Sequence, residues 1–444
     1  MEIRDPLHGT LVFNEGETRV IESPEFQRLR AIKQLGFAEF SFPGATHNRF
    51  LHSLGVSHVA TLAFDQIFKH CPELPRKKIE AFRQVTRLAA LLHDVGHGPL
   101  SHTTEDVMPP LRELHIPAYR FKKPSKGQLS ISQSSQVPEG QVERASHEDY
   151  TIKYITDSPL SRVIEKEFVD FQPYHIALLI DRSLSEQDDF FVHAGLNWRP
   201  LLSSLISSEL DADRMDYLER DSYFCGTNYG KVDFHWILSH MTYHTEGQDV
   251  HLALHRRALY TFDDFLLARH HMHLMVYFHH KSIIYEEFLN RFILSPDCHF
   301  RLPADIEAYT QYNDYKLFEA IAASSNPWAQ RIAKKQLYKV LLEMHSSGDE
   351  SKSHTLYQDL KQEGFEVILA SSQARLSKYH SIHPDEHSPT IFVVDLRNRW
   401  DKPTPIDEAT EIFHRYEGAR VINRLYVPPE QVEKAKAFLE KRKM

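Results

Sequence analysis

A histidine–aspartate pair, His93-Asp94, ends an apolar run from Leu88 to Leu92 and is followed at once by Val95-Gly96-His97-Gly98. An imidazole and a carboxylate left unpaired at the edge of a core are costly, so their partners must lie elsewhere in the chain. Upstream stands His47-Asn48-Arg49-Phe50-Leu51-His52-Ser53-Leu54-Gly55, and far downstream Asp211-Ala212-Asp213-Arg214-Met215-Asp216-Tyr217. In order, His52, His93, Asp94 and Asp213 supply two imidazoles and two carboxylates, a donor set suited to a divalent Mn, Fe, Ni, Zn or Mg ion. The dipeptide alone carries no weight; the ordered set of four does.

Around that set lie residues suited to phosphate chemistry. Arg49 precedes His52 by three residues, so a helix beginning near Arg49 points both side chains the same way and makes Arg49 a charge-assisted phosphate clamp. His97 and His102 flank Gly98-Pro99, where a tight turn is expected. An imidazole that titrates near neutrality can bind phosphate or give a proton to a leaving oxygen. Glu105, three residues past His102, is placed to orient it, and His147-Glu148 offers a second imidazole–carboxylate pair. Asp213, Tyr217 and Asp221 recur every four residues, so one helix face carries a metal ligand, a phenol and a carboxylate. Arg214 is placed to reach phosphate oxygens, and Tyr217 with Asp221 to bind a sugar ring and its hydroxyl. The remaining polar residues of that stretch, Asp211, Asp216, Glu219 and Arg220, read as a salt-bridged, solvent-facing side. Arg269, His273 and Tyr277 form a second stripe at the same spacing, on one long helix.

These residues need a scaffold, and the chain is long enough at 444 residues for a large core and a smaller appendage. Hydrophobic residues make up 41% and charged residues 25%, as in ordinary globular chains. A net charge of −9 argues against an extended nucleic-acid surface. Cys71, Cys225 and Cys298 are scattered and form no paired motif, which fits a reducing compartment. No apolar leader opens the chain and no stretch is long enough to span a bilayer, so a cytoplasmic location without membrane contact is expected.

The periodicity from Pro24 onward is helical, with further helices expected at about 53–71, 78–94, 147–157, 161–168, 174–182, 200–222 and 259–291. Few strand-like runs precede residue 360, apart from a small strand or turn near Leu11-Val12-Phe13. The fold class is therefore mainly α, with a helical core over 1–108 and 147–355. Residues 109–146 interrupt it with a Pro/Ser-rich segment, read as a surface insertion or a lid. After about 355, Phe365–Leu369, Pro389–Asp395 and Arg420–Val427 look like strands and Pro429–Lys441 like a helix. A small α+β lobe over 356–444 follows.

The motifs together resemble the HD-domain deoxynucleoside triphosphate triphosphohydrolases, in particular the animal enzymes that join a sterile-alpha-motif to an HD domain. The resemblance runs from Ile3 to Lys281 through Asp5-Pro-Leu-His-Gly9, Phe26-Gln-Arg-Leu-Arg30, Ile32-Lys-Gln-Leu-Gly36, Phe42-Pro-Gly44, His47-Asn-Arg-Phe50, His52-Ser-Leu-Gly55, His93-Asp94, Gly96-His-Gly-Pro99 and Ser101-His102. It implies that His52, His93, Asp94 and Asp213 hold a divalent metal. His102 would be general acid or nucleophile, assisted by His147 and by Glu105 or Glu148. It also implies that Arg49, His97, Arg214, Tyr217 and Arg269 grip the triphosphate of a dNTP substrate, and His273, on the stripe with Arg269, is a further substrate-binding candidate. Gln34 and Asp221 would hold the 3′-hydroxyl, and Leu35 and Tyr277 would crowd the 2′ position. The implied reaction is hydrolysis at the α-phosphorus, giving deoxynucleoside and inorganic triphosphate. A homo-oligomer and a place for an allosteric nucleotide are implied as well.

The chain departs from the animal pattern where activator is read. No sterile-alpha-motif precedes the core, and a prokaryotic-type homologue is expected. Glu22 replaces an aspartate, while Gln27 and Arg30 match. Met1 and His280 stand where activator-contacting lysines would be. Activation independent of GTP is therefore expected. The ligand set alone also fits another HD-type nucleotide phosphohydrolase, a single-strand nuclease, or a sensor that binds nucleotides without turning them over.

Overall fold

The computed structural model describes residues 1–122, 143–346, 351–374, 390–395, 397–398, 402–412 and 420–442. The architecture is a mainly helical core followed by a region that contains β-sheets. At its centre helix α1 (Arg49–Ile67) packs along α2 (Arg76–Leu92) and crosses α4 (Ala212–Cys225), with α3 (His147–Thr156) against the loop that leaves α2. Each start is set by a side chain. Asn48 accepts from the Leu51 amide at 3.1 Å, Ser146 and Asp149 form a reciprocal capping box, and Asp211 accepts from the Arg214 amide at 2.7 Å. These caps satisfy orphan amides of the first turn and fix the helix starts beside the residues of interest. Phe50, Leu54, Leu88, Leu91, Leu92, Met215 and Leu218 are all buried, so the faces opposite the polar stripes are the core.

The long segment expected at 200–222 is two helices, Arg199–Ile206 and α4, separated by a break at Ser207–Asp211. The stripe expected on one continuous helix at 259–291 is also interrupted. Helix α5 (Leu259–Met272) passes into a π-helical turn over His273–Tyr277, and α6 (His280–Ile293) begins after it. A π turn inserts extra residues per turn, so Arg269, His273 and Tyr277 do not keep an i, i+4, i+8 face.

Strands are more numerous before residue 360 than the sequence suggested. Strands β1 (Glu2–Asp5) and β2 (Gly9–Val12) form a hairpin. Short strands β3 (Val192–His193) and β4 (Leu196–Asn197) lead to a second hairpin, β5 (Met241–Glu246) with β6 (Asp249–His255), turning at Gly247, whose φ is +61°. That hairpin is rich in histidine, which hides its two-residue alternation.

A third sheet has the order β7 (Lys339–Ser346), β11 (Arg420–Val427), β8 (Ile368–Ala374), all antiparallel, covered by helices Ser351–Gln362 and Val432–Arg442. Its first strand lies ahead of residue 356, the expected start of the lobe. Strand β9 (Phe392–Val394), expected in the lobe, instead runs parallel to β6, and β10 (Thr404–Pro405) pairs with it. Of the Pro/Ser-rich segment, residues 123–142 lie outside the described residues. Its two ends are tied together by Leu111 N–Glu143 O and Ala145 N–Pro109 O bonds of 2.9 Å, with Leu114 and Ala118 buried.

Candidate metal centre and active site

The four ligands expected from the sequence converge from three helices. His52 lies in the first turn of α1, His93 and Asp94 leave the end of α2, and Asp213 lies in the first turn of α4. His52 Nε2 is 2.9 Å from Asp213 Oδ1 and 3.6 Å from Asp94 Oδ2, while His93 Nε2 is 3.4 Å from Asp94 Oδ1 and 3.5 Å from Asp213 Oδ1. His93 gives the sharpest test of a metal. Its Nδ1–H donates to the Ala90 carbonyl at 2.8 Å, yet its buried Nε2 has no hydrogen-bond partner. A buried ring nitrogen facing two carboxylates, on an imidazole whose other nitrogen is fixed by a carbonyl, is an arrangement a metal-ligating histidine takes. The donor set fits a divalent cation. The Asp213 side chain is 33% exposed against 1% for His52, so one side of the centre stays open, as a catalytic site requires.

Behind His52 lies a network that the sequence reading placed on a solvent-facing helix side. Asp216 and Arg220 are fully buried, and Asp211 nearly so. Asp216 accepts from His52 Nδ1 at 2.8 Å, from Arg220 Nε and Nη2 at 2.8 Å each, and is 2.6 Å from His8 Nε2. Arg220 also reaches Asp5 at 2.9 Å. Hydrogen bonds donated by His52 to the Asp213 and Asp216 carboxylates, with their charges, outweigh burial and hold the imidazole up to about 10. A helix surface full of charge reads as solvated unless its partners, Asp5 and His8, are known to fold over it. The Asp5-Pro-Leu-His-Gly9 run was a recognisable motif with no role attached. The i, i+4 spacing of Asp216 and Arg220 was the one further signal.

A second histidine group adjoins the first. His97 Nε2 is 3.2 Å from Asp94 Oδ1, and its ring stacks on His147 with centroids 3.8 Å apart. Glu105 Oε1 bridges His147 Nδ1 at 2.6 Å and His102 Nδ1 at 3.1 Å. The three imidazoles lie close enough to form a candidate metal-binding group of their own. Burial and the charges of Arg49 and His147 push His97 well below the ordinary range, so it is neutral. The Glu105 carboxylate overcomes burial at His147 and raises it. Glu148 is exposed and reaches His147 only through its charge. The loop carrying His97 and His102 is strained: Leu100 and Ser101 take φ of 52° and 60°. Gly96 is required beneath it, because a Cβ there would lie 2.2 Å from the His147 carbonyl oxygen.

The residues expected to grip substrate fall into two connected sets. Gln34, Leu35, Arg49, His102 and Tyr277 line one cavity of about 400 Å³. Arg49 donates to Asp94 and, at 2.8 Å, to Ser101 Oγ. Arg214 pairs with Asp211 at 3.3 Å and Arg269 with Glu209 at 3.0 Å, so these cations arrive already engaged by carboxylates. Asp221 is buried, held by His47 Nε2 and the Tyr277 hydroxyl at 2.8 Å each. Tyr217 meets Tyr277 edge to face, and burial raises its phenol to about 12. His273 Nδ1 donates to the Arg269 carbonyl at 2.8 Å, and burial lowers the imidazole to about 4. Tyr277 thus links the two sets through Asp221 and Tyr217.

Residues 49–169 match the HD domain, and residues 232–372 match the HD associated region. The chain carries an HD domain. The first match spans α1, α2 and α3 and with them His52, His93-Asp94, His102 and His147; Asp213 falls between the two. This HD protein is 30% identical over 340 residues to an uncharacterized protein of Methanocaldococcus jannaschii, an alignment covering 77% of this chain and 59% of that one. It is 27% identical over 424 residues to the deoxynucleoside triphosphate triphosphohydrolase SAMHD1 of Xenopus laevis, covering 88% of this chain and 62% of that one. The chain spans between about half and two thirds of the length of these curated relatives. Among solved structures, a hypothetical protein from Aquifex aeolicus superposes with a TM-score of 0.72 at 25% identity, covering 99% of both chains. Among the described residues of this HD protein, no helix is long and apolar enough to cross a membrane.

Proposed function

We propose that this HD-domain protein hydrolyses deoxynucleoside triphosphates to deoxynucleoside and inorganic triphosphate. The observation that carries the reading is the placement of His102. It stands on the wall of the cavity that Gln34, Leu35, Arg49 and Tyr277 also line, and Glu105 joins it to His147 beside the candidate metal ligands. The distant likeness to enzymes named as dNTP triphosphohydrolases supports the same substrate class.

His52, His93, Asp94 and Asp213 would hold the divalent ion, which when bound supplies Lewis-acid polarisation of a phosphate oxygen. Arg49, Arg214 and Arg269 then share their charge between their present carboxylates and the triphosphate, neutralising charge that builds up as the bond to phosphorus breaks. His102, with Nδ1 held by Glu105, keeps Nε2 as the nitrogen that gives a proton to the departing 5′ oxygen. His147, raised by the same carboxylate, keeps a proton in reserve beside it. Leu35 and Tyr277 narrow the cavity where a 2′-hydroxyl would sit, and the unpaired Gln34 Oε1 is available to a 3′-hydroxyl.

The test is product analysis with each dNTP and rNTP, with Mn²⁺ or Mg²⁺, and with or without GTP. Deoxynucleoside together with intact triphosphate is the expected result, reached at full rate without GTP. Pyrophosphate or single phosphate as product would replace this reading with another HD-type hydrolysis; strict dependence on GTP would overturn the regulatory part.

A further inference from the structure

The cavity that holds Gln34, Leu35, Arg49, His102 and Tyr277 has a further wall to which the proposed reaction gives no role. Ser282, Glu286 and Asn290 line it from α6. They recur every four residues, so a single face of that helix presents a hydroxyl, a carboxyl and a carboxamide. The helix packs against the Gly36–Phe40 turn on one side and the Ser101–Val107 turn on the other, the two turns that flank Leu35 and carry His102.

Two buried polar atoms on this cavity lack partners: Ser282 Oγ, in a residue 3% exposed, and Gln34 Oε1. A buried hydroxyl or amide oxygen without a partner is costly, and the cost is recovered when a ligand supplies the missing hydrogen bond. Glu286 makes no hydrogen bond or ion pair to any described residue. Burial, with Glu287 beside it, pushes its carboxyl up to about 7. An unpaired acid is a poor choice for a purely structural position, where a leucine would pack better.

We propose that Ser282, Glu286 and Asn290 form the base-selecting wall of the nucleotide site, with Glu286 favouring bases that carry an exocyclic amino group. The inference rests on the dNTP reading. With the triphosphate at Arg49 and His102 and the sugar at Gln34, Leu35 and Tyr277, this wall is what remains for the base. An ionised carboxylate only accepts hydrogen bonds. Cytosine and adenine present an amino donor at N4 and N6, where thymine presents the acceptor O4. Glu286 therefore rewards dCTP over dTTP, and oxygen–oxygen repulsion with thymine adds to the discrimination. A glutamine in its place has the same shape and offers both a donor and an acceptor, so it suits either base.

The experiment compares wild type with Glu286→Gln in the metal-loaded protein at a pH of about 8.5, where the carboxyl is ionised. Two readouts are taken: the ratio of kcat/KM for dCTP to that for dTTP, and equilibrium binding of dCMP and dTMP, which carry base and sugar without the triphosphate leaving group. The expected result is a dCTP-to-dTTP ratio that falls about tenfold in the variant, with a parallel shift in dCMP and dTMP binding. Ratios unchanged in a folded variant that still turns over dNTPs would overturn the wall and leave the reaction intact. Shifted monophosphate binding in a protein that hydrolyses no dNTP would keep the wall and sink the reaction. A wild-type chain that binds neither monophosphate and hydrolyses neither dNTP would sink both. Should Glu286→Gln prove unstable, Ser282→Ala is expected to weaken dCMP binding severalfold, and unchanged binding there overturns the inference.

Discussion

Asp216 accepts the Nδ1 proton of His52 at 2.8 Å, and Arg220 clamps the same carboxylate with two further bonds. His52 thereby presents Nε2 to the other candidate ligands in one tautomer and one orientation. Replacing Asp216 with Asn keeps the shape but removes the charge that pairs with Arg220 and raises the basicity of His52. Loss of such an outer partner costs roughly 10- to 100-fold in metal affinity. The expected outcome is metal-depleted protein after dialysis against a weak chelator, read by elemental analysis, with helical content retained. Full metal retention would show that Asp216 serves packing alone.

The two histidine groups should separate experimentally. His93→Ala or Asp213→Ala removes a donor from the metal centre, so metal content and activity should fall together. His102→Ala touches no candidate ligand of that centre. It should keep the metal and lose activity by about 10²- to 10⁴-fold, the usual weight of a positioned acid. Metal content and turnover measured on the same preparations decide this. An active, metal-free His93→Ala protein would break the ligand assignment, and a metal-free His102→Ala protein would move the ion toward the second group.

Glu105 ties the pH profile to this geometry. Its carboxylate raises His147, so the protonated imidazole persists to higher pH than a free histidine and is lost as pH rises through that raised value. Glu105→Gln keeps the hydrogen bond and removes the charge, leaving burial opposed by the weaker pull of Glu148 and Asp94. The alkaline limb of kcat against pH should therefore move to lower pH. An unmoved limb would mean that neither His147 nor His102 supplies the catalytic proton.

The sequence offered candidate donors and left their support unread. His52, His93, Asp94 and Asp213 could be proposed because metal coordination limits residue types; of these, His52, His93 and Asp213 offer ligand atoms within 4.8 Å of one another. Asp216, Arg220 and Asp211 were assigned to solvent because burial of charge depends on contacts more than 200 residues distant, such as Asp5–Arg220. The Arg269, His273, Tyr277 stripe was seen, but its spacing implied a continuous helix; nothing in the composition announces the π turn that redirects Tyr277 onto Asp221. Strand Arg420–Val427 was found at its observed bounds. The Met241–His255 hairpin was missed because histidine and threonine fill positions where β-branched apolar residues usually mark a strand. Glu286, amid an amphipathic helix, carried no signal that it faces a cavity.

Gly55 sets two opposing effects against each other. A glycine inside α1 weakens the helix by about 1 kcal/mol relative to alanine, so Gly55→Ala would ordinarily stabilise the protein. A Cβ at this position, however, would lie 2.0 Å from Asp216 Oδ1 and 2.3 Å from Arg220 Nη2. Flexible side-chain ends could yield cheaply, but these two are buried and fixed to His52, His8 and Asp5. Overpacking of this kind costs about 1–3 kcal/mol, and displacing the buried ion pair adds to it, so the steric effect wins. Gly55→Ala should lower the denaturant midpoint and, by shifting Asp216 away from His52, also reduce metal content. A Gly55→Ala variant as stable and as metal-rich as wild type would show that the network has slack the observed contacts do not suggest.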